Sequence, residues 1–437
     1  MKKYRSLVPI ALIVLMGLSW YKLISDSVHV GNEYETYLTE ARKYADDGIT
    51  KYAMENYRMA LEIESSPEIY AEIAEYYKAQ KKTRDYVSWC DEFLETYPTE
   101  PIAYEYGLDA LLEAEDYSGC YDILKMAEKR NVSSDSIEST KKEIAFVYKM
   151  DFNSYSDVGV YSNQYCAVSS DGLWGYVNRY GEQKVSCIYT QAGAVTQSGY
   201  APVVNAEGLA YFIDKTGAKV LAAKDRYVSF GLLVDNWIAA QKNDGLYIYV
   251  DTKFEERPEV FDYASTYNNG IAAVRQGNIW QLINHEGVVI SNTNYCDVVL
   301  DEKQIAYRNE RAFVAVADGK YIMIDGTGEK VGSLEFEDAR VFAGELPTAV
   351  KINGKWQFIG KDGSLISNHK YDDARPFSCG LAAVCIDGKW GFVDETETLV
   401  IENRFYGAKD FNEKGSCFVK TGDKWQLLKL YRLNREE

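Results

Sequence analysis

The spacing of apolar residues changes twice along the chain, dividing it into three stretches. From Leu7 to Tyr21 (LVPIALIVLMGLSWY) the run is almost unbroken, with Lys2, Lys3 and Arg5 before it and Lys22 after it. Leu23 and Ile24 extend the run, Lys22 can snorkel, and Trp20 and Tyr21 suit the lipid–water interface. The pattern predicts a transmembrane signal anchor over 7–24, with residues 1–6 cytoplasmic and the rest extracytoplasmic. The alternative is a signal that is cleaved, releasing a secreted protein.

Residues 33–150 follow a helical rhythm that repeats about every 34 residues. Tyr37, Ala41, Tyr44, Ala53, Tyr57 and Ala60 recur as Tyr70, Ala74, Tyr77, Tyr86, Cys90 and Phe93, then as Tyr104, Leu108, Leu111, Cys120, Leu124 and Ala127. Within each set the steps are 4, 3, 9, 4 and 3, which put these residues on one face of two consecutive helices joined by a turn. A further amphipathic stretch, Ser136 to Tyr148, reads as a helix capping the open end of the array.

Beyond Met150 a different period begins, and residues 151–437 read as all β. The clearest unit, Tyr371 to Ile401, has two aromatics six positions apart, a strand over Leu381 to Ile386, an Asp387-Gly388 turn and a returning strand from Lys389. Its frame recurs eight times. The hairpin position carries Trp174, Ala210, Tyr247, Trp280, Tyr321, Trp356, Trp390 and Trp425, spaced by 33 to 41 residues, with the fifth unit, begun by Tyr295, longer and irregular. Asp171-Gly172, Asn353-Gly354 and Asp387-Gly388 are type I′ turn formers. One such unit cannot bury its own apolar faces, so the copies must stack, either radially as a seven- or eight-bladed propeller-like ring or linearly as an open β-solenoid. A complementary strand near Phe152 favours the ring.

Composition narrows the function classes. With 46% hydrophobic and 26% charged residues the chain is ordinary globular protein, and a net charge of −18 excludes a phosphate-backbone-binding surface. Its three histidines, His29, His285 and His369, lie far apart, leaving little material for metal or histidine-base chemistry. His285 reads as a solvated turn residue. Asp214, Asp251, Asp325 and Asp394 follow the hairpin strands and read as turn formers rather than a repeated carboxylate site. Eight cysteines are scattered singly and replace small apolar residues of other units, so they read as packing. No catalytic residue, metal or cofactor is expected.

The helical positions resemble the tetratricopeptide repeat, with Pro67 and Pro98 at or near its closing proline and Gly48 in its first turn. That resemblance implies a groove for a protein or peptide segment, with Arg42, Glu75, Lys78 and Asp109 as its candidate contacts. Over residues 33–150, 14 Lys and Arg stand against 26 Asp and Glu, a net −12 that suits a basic or neutral partner. The β units resemble the WG repeat, a bacterial repeat named for its Trp-Gly pair. Trp174-Gly175 and Trp390-Gly391 keep both residues, while Trp280, Trp356 and Trp425 are followed by Gln. This resemblance implies architecture more than chemistry. The combined expectation is a non-catalytic, membrane-anchored interaction or scaffold protein of the bacterial cell envelope. An extracytoplasmic ligand or carbohydrate sensor is the alternative, and an enzyme in the β ring comes third.

Overall fold

The structure, a computed structural model, describes residues 20, 33–223, 227–291, 293–317 and 319–433. The expected anchor over 7–24 falls outside these residues, Trp20 excepted. Among the described residues no helix is long and apolar enough to cross a membrane. The chain forms two compact units that divide between Ala145 and Phe146.

The first unit holds seven helices among the described residues: α1 (33–46), α2 (Thr50–Ile63), α3 (Pro67–Ala79), α4 (Thr83–Thr96), α5 (Pro101–Glu113), α6 (Tyr117–Arg130) and α7 (Asp135–Glu143). Pro67 and Pro101 open α3 and α5, where the missing N–H has no intrahelical partner to lose. Ser66, Asp116 and Ser134 cap α3, α6 and α7 by accepting from the backbone N–H three residues on. The periodic positions form the core: Ala41, Ala53, Tyr57, Ala60, Tyr70, Ala74, Tyr86, Cys90, Phe93, Tyr104, Leu108, Cys120, Leu124 and Ala127 are all buried. The expected capping helix is shorter than its apolar pattern, because Tyr148 already begins a β-strand.

The second unit is an eight-bladed β-propeller. Each blade starts at the axis with a two-residue strand (Asp157–Val158 in blade 1, Gly407–Ala408 in blade 8) and meanders outward through an antiparallel hairpin. Positive φ at both central residues of Asp171-Gly172, Asn353-Gly354 and Asp387-Gly388 makes the hairpin turns the expected type I′. Blades 1, 2, 3, 7 and 8 are four-stranded. In blades 4, 5 and 6 the fourth strand shrinks to bridges, among them Trp280 to Tyr295, Tyr321 to Phe336 and Trp356 to Tyr371.

The sequence repeat and the blade are out of phase. The leading aromatic pairs with the hairpin residue of the preceding blade in every repeat but the one led by Tyr227: Tyr189 with Trp174, Phe261 with Tyr247, Phe405 with Trp390. The second aromatic packs across the blade boundary, as Phe377 does on Phe358 (centroids 4.6 Å apart) and Phe411 on Phe392 (4.8 Å). The same rule closes the ring. Tyr155, leading the first repeat, pairs with Trp425 of the last, and the strand Tyr148–Tyr155 becomes the outer strand of blade 8.

The Trp-Gly pair has a steric reason. A Cβ on Gly175 would stand 2.4 Å from the Val185 carbonyl oxygen, and one on Gly391 2.5 Å from that of Ile401. In both blades the fourth strand bulges over this glycine and runs for seven residues. Where Gln follows Trp280 and Trp356 only bridges form, whereas Gln426 after Trp425 still pairs with the eight-residue strand Tyr148–Tyr155.

Candidate binding site at the propeller axis

The four groove residues expected in the helical unit are engaged with neighbouring helices. Arg42 of α1 makes a two-pronged pair with Glu72 of α3, both contacts 2.8 Å. Lys78 of α3 reaches Asp109 of α5 at 2.8 Å, and the Tyr106 hydroxyl of α5 donates to Glu75 of α3 at 2.9 Å. Buried Tyr57 and Tyr86 donate to the same carboxylates, Glu72 and Asp109, each at 2.7 Å. The result is a ladder that joins successive hairpins, each rung worth little because it is half exposed.

The propeller axis carries a different arrangement. Four residues after each leading aromatic, the backbone N–H donates to the next strand in all eight blades, fixing one equivalent position around the channel. Those positions are Gly159, Gly193, Gly231, Ser265, Val299, Arg340, Arg375 and Lys409. Three consecutive blades therefore present glycine to the axis and three present a cation. Arg340 pairs with Asp373 at 3.2 Å and stacks over Trp356 with its guanidinium carbon 4.6 Å from the ring centroid.

The irregular fifth unit supplies a turn that crosses this channel. Its additional residues form a turn over Asp301–Ile305, held by Asp301, whose Oδ1 accepts the N–H groups of Lys303 (2.8 Å) and Ile305 (2.9 Å). The turn reaches three other blades. The Thr266 N–H of blade 4 donates to the Gln304 carbonyl at 2.8 Å. Glu302 accepts from Arg375 of blade 7 at 2.7 Å and from Lys409 of blade 8 at 2.6 Å. Arg375 also holds Asp410, with Nε 2.6 Å from Oδ1, and Arg308 holds Asp301 at 2.9 Å. Burial pushes the Glu302 carboxyl up, but Arg375 and Lys409 outweigh it and hold the group below the ordinary range.

On one side of this turn lies a cavity of about 1320 Å³. Its lining includes Asn163, Gln164, Asp235, Asn236, Asn269 and Asn309, which belong to two-residue turns that follow the axial positions and have positive φ. Lys303 lines the cavity, and its ammonium bonds to none of the described residues. Burial, then the neighbouring Arg308, push its pKa down, with Asp301, Asp410 and the Cys166 thiol acting the other way. Asn309, 6% exposed and also in the cavity wall, leaves both side-chain polar atoms without a partner. Of the lining aromatics, Tyr161, Phe342 and Phe411 are packed against neighbouring blades, leaving Tyr200 partly open.

Neither Lys303 nor Asn309 stood out in the sequence. The signal for both was the extra length of the fifth unit. The acidic turn residues behave as expected, Asp214, Asp251, Asp325 and Asp394 each accepting two backbone N–H groups two and four residues on. His285 is less solvated than expected, lying 3.3 Å from Asp235 at the boundary of blades 3 and 4. Among the described residues no group of histidine, cysteine and carboxylate side chains could hold a metal, and the eight cysteines are free thiols. Trp174, Trp280, Trp356, Trp390 and Trp425 all sit on the third strands and pack against apolar clusters shared by adjacent blades.

The family described as "WG containing repeat" matches residues 174–207, 249–280, 323–356, 358–390 and 390–425, each segment starting at or just after one hairpin position and, in all but the first, ending at the next. Five segments of the propeller are thus similar to WG repeats. Solved structures similar to the chain include BamB from Moraxella catarrhalis, at 12% identity and a TM-score of 0.43 over 65% of this chain and all of that one. The computationally designed Ika8 protein aligns at 11% identity and a TM-score of 0.44, over 64% of this chain and 98% of that one. The WD40 β-propeller domain of Doa1 aligns at 10% and 0.33, over 65% and 97%. No curated protein matches.

Proposed function

We propose that this protein is a non-catalytic binding protein of the bacterial cell envelope. Residues 7–24 tether it to the membrane, and its partner is a protein or peptide segment seated in the propeller cavity. The helical unit, read as tetratricopeptide-like hairpins, then serves as a rigid spacer or a secondary contact. The observation that carries this reading is the contrast between the two candidate surfaces: the groove charges are engaged with neighbouring helices, while in the cavity, among the described residues, the Lys303 ammonium has no ion pair and the buried Asn309 amide no hydrogen bond. A carbohydrate sensor would want open aromatic faces at the mouth, and the lining aromatics are mostly packed between blades.

The test is crosslinking and capture on the full-length membrane protein, comparing rim and groove variants. Gln197→Trp with Glu345→Trp narrows the mouth, and Arg42→Ala with Asp109→Ala dismantles the ladder. The rim pair is expected to lose the captured partner about tenfold or more while the ladder pair keeps it. The opposite result moves the site to the helices, and enrichment of glycans alone would replace the scaffold reading with the sensor.

A further inference from the structure

Most cations around the axis are paired with carboxylates. Four cations have a carboxylate: Arg340 has Asp373, Arg308 has Asp301, and Arg375 and Lys409 share Glu302, with Asp410 also on Arg375. Lys303 is the fifth and bonds to none of the described residues. It sits at the tip of a turn that three separate blades hold in place, so its position is fixed by its neighbours on either side, Glu302 and Gln304. The tip places it in the wall of an open cavity of about 1320 Å³, roomy enough for a small ligand or a chain end. Next to the same cavity, Asn309 is buried with an unused amide. A partly buried ammonium beside another cation gains most from an anion that supplies hydrogen-bond acceptors.

We propose that the cavity is a carboxylate-binding site in which Lys303 supplies the charge and Asn309, on a modest shift of its side chain, an amide hydrogen bond. This rests on the cavity being the ligand seat. A carboxylate fits better than a phosphate dianion because, among the described residues, Lys303 alone of these five cations lacks an ion pair, and Asp301, Glu302 and Asp410 nearby would repel a second negative charge.

The experiment is calorimetric titration of the full-length protein near neutral pH, with chloride at matched ionic strength as the control. Succinate and the neutral succinamide are the first probes, and N-acetyl-dialanine and its C-terminal amide are the second pair. Each carboxylate is expected to bind about tenfold or more tightly than its amide. Lys303→Met should lose that preference and Lys303→Arg should keep most of it. Preference for the peptide acid identifies a chain terminus as the source, preference for succinate a free dicarboxylate. Equal binding of acids and amides, no binding of either, or an undiminished preference in Lys303→Met overturns the assignment. If Lys303→Met fails to fold, the acid-to-amide ratio of the wild type and Lys303→Arg decides. The rim variants report on the cavity independently, so a wild type that captures its partner through the rim but shows no preference for acids over amides would overturn this inference alone.

Discussion

Single residues do their work here mostly by what they leave out. Gly391 lets the backbone of the fourth strand pass where a methyl group would stand 2.5 Å from Ile401 O and 2.7 Å from Asn403 N. Gly391→Ala should therefore cost about 1–3 kcal/mol, read as a lower denaturant midpoint, because backbone rather than a flexible side chain must move. Gly388, in the hairpin turn three residues earlier, has open space around it, so Gly388→Ala should cost less, about 1 kcal/mol from its φ of +74°. A reversed order would remove close approach as the reason for the Trp-Gly pair. The pair itself was legible in the sequence; its purpose was not, since the atoms in contact with Gly391 belong to a strand about ten residues away.

At the scale of elements, the helical ladder predicts a pH response. Hydrogen bonding to Arg42 depresses the Glu72 pKa, against burial, with Tyr57 adding to the depression. A carboxyl depressed in the folded state contributes stability above its unfolded pKa and loses it as pH falls through the folded value. Glu72→Gln should thus melt lower than wild type at neutral pH, and the gap should narrow near pH 3 when followed by helical circular dichroism. A gap that stays constant across that range would show that the pair adds nothing to stability. The helices and their buried faces followed from the 4, 3, 9, 4, 3 spacing alone. The ladder did not, because exposed charges carry no periodic signature and Arg42 meets Glu72 only when successive hairpins stack.

For the whole β unit, closure is the decisive event. The strand Tyr148–Tyr155 covers the edge of Lys424–Leu430, pairing Tyr148 with Leu430 and Tyr155 with Trp425. A chain beginning at Phe146 should remain monomeric by size-exclusion chromatography, whereas one beginning at Ser156 should aggregate and lose its cooperative melt, because it exposes an unpaired edge. Equal behaviour of the two would mean that the ring holds without its outer seam. Glu302 works at the same scale, tying the fifth blade to the seventh and eighth across the axis.

The sequence by itself determined the kind and number of repeats, the break between a helical and a β portion, the type I′ hairpins and the closing strand near Phe152. These are local or periodic properties: a turn needs its own two residues, and a repeat needs its next copy. Phe152 itself shows the limit, being fully exposed where the closing strand bulges between Met150 and Ser154. Only the tertiary structure decided that glycines gather on one side of the axis and cations on the other, that an insertion in the fifth unit crosses the channel, and that Lys303 ends there without an ion pair among the described residues. Ring closure brings together residues more than a hundred positions apart, as with Glu302 and Lys409, and no local pattern encodes which of them will meet.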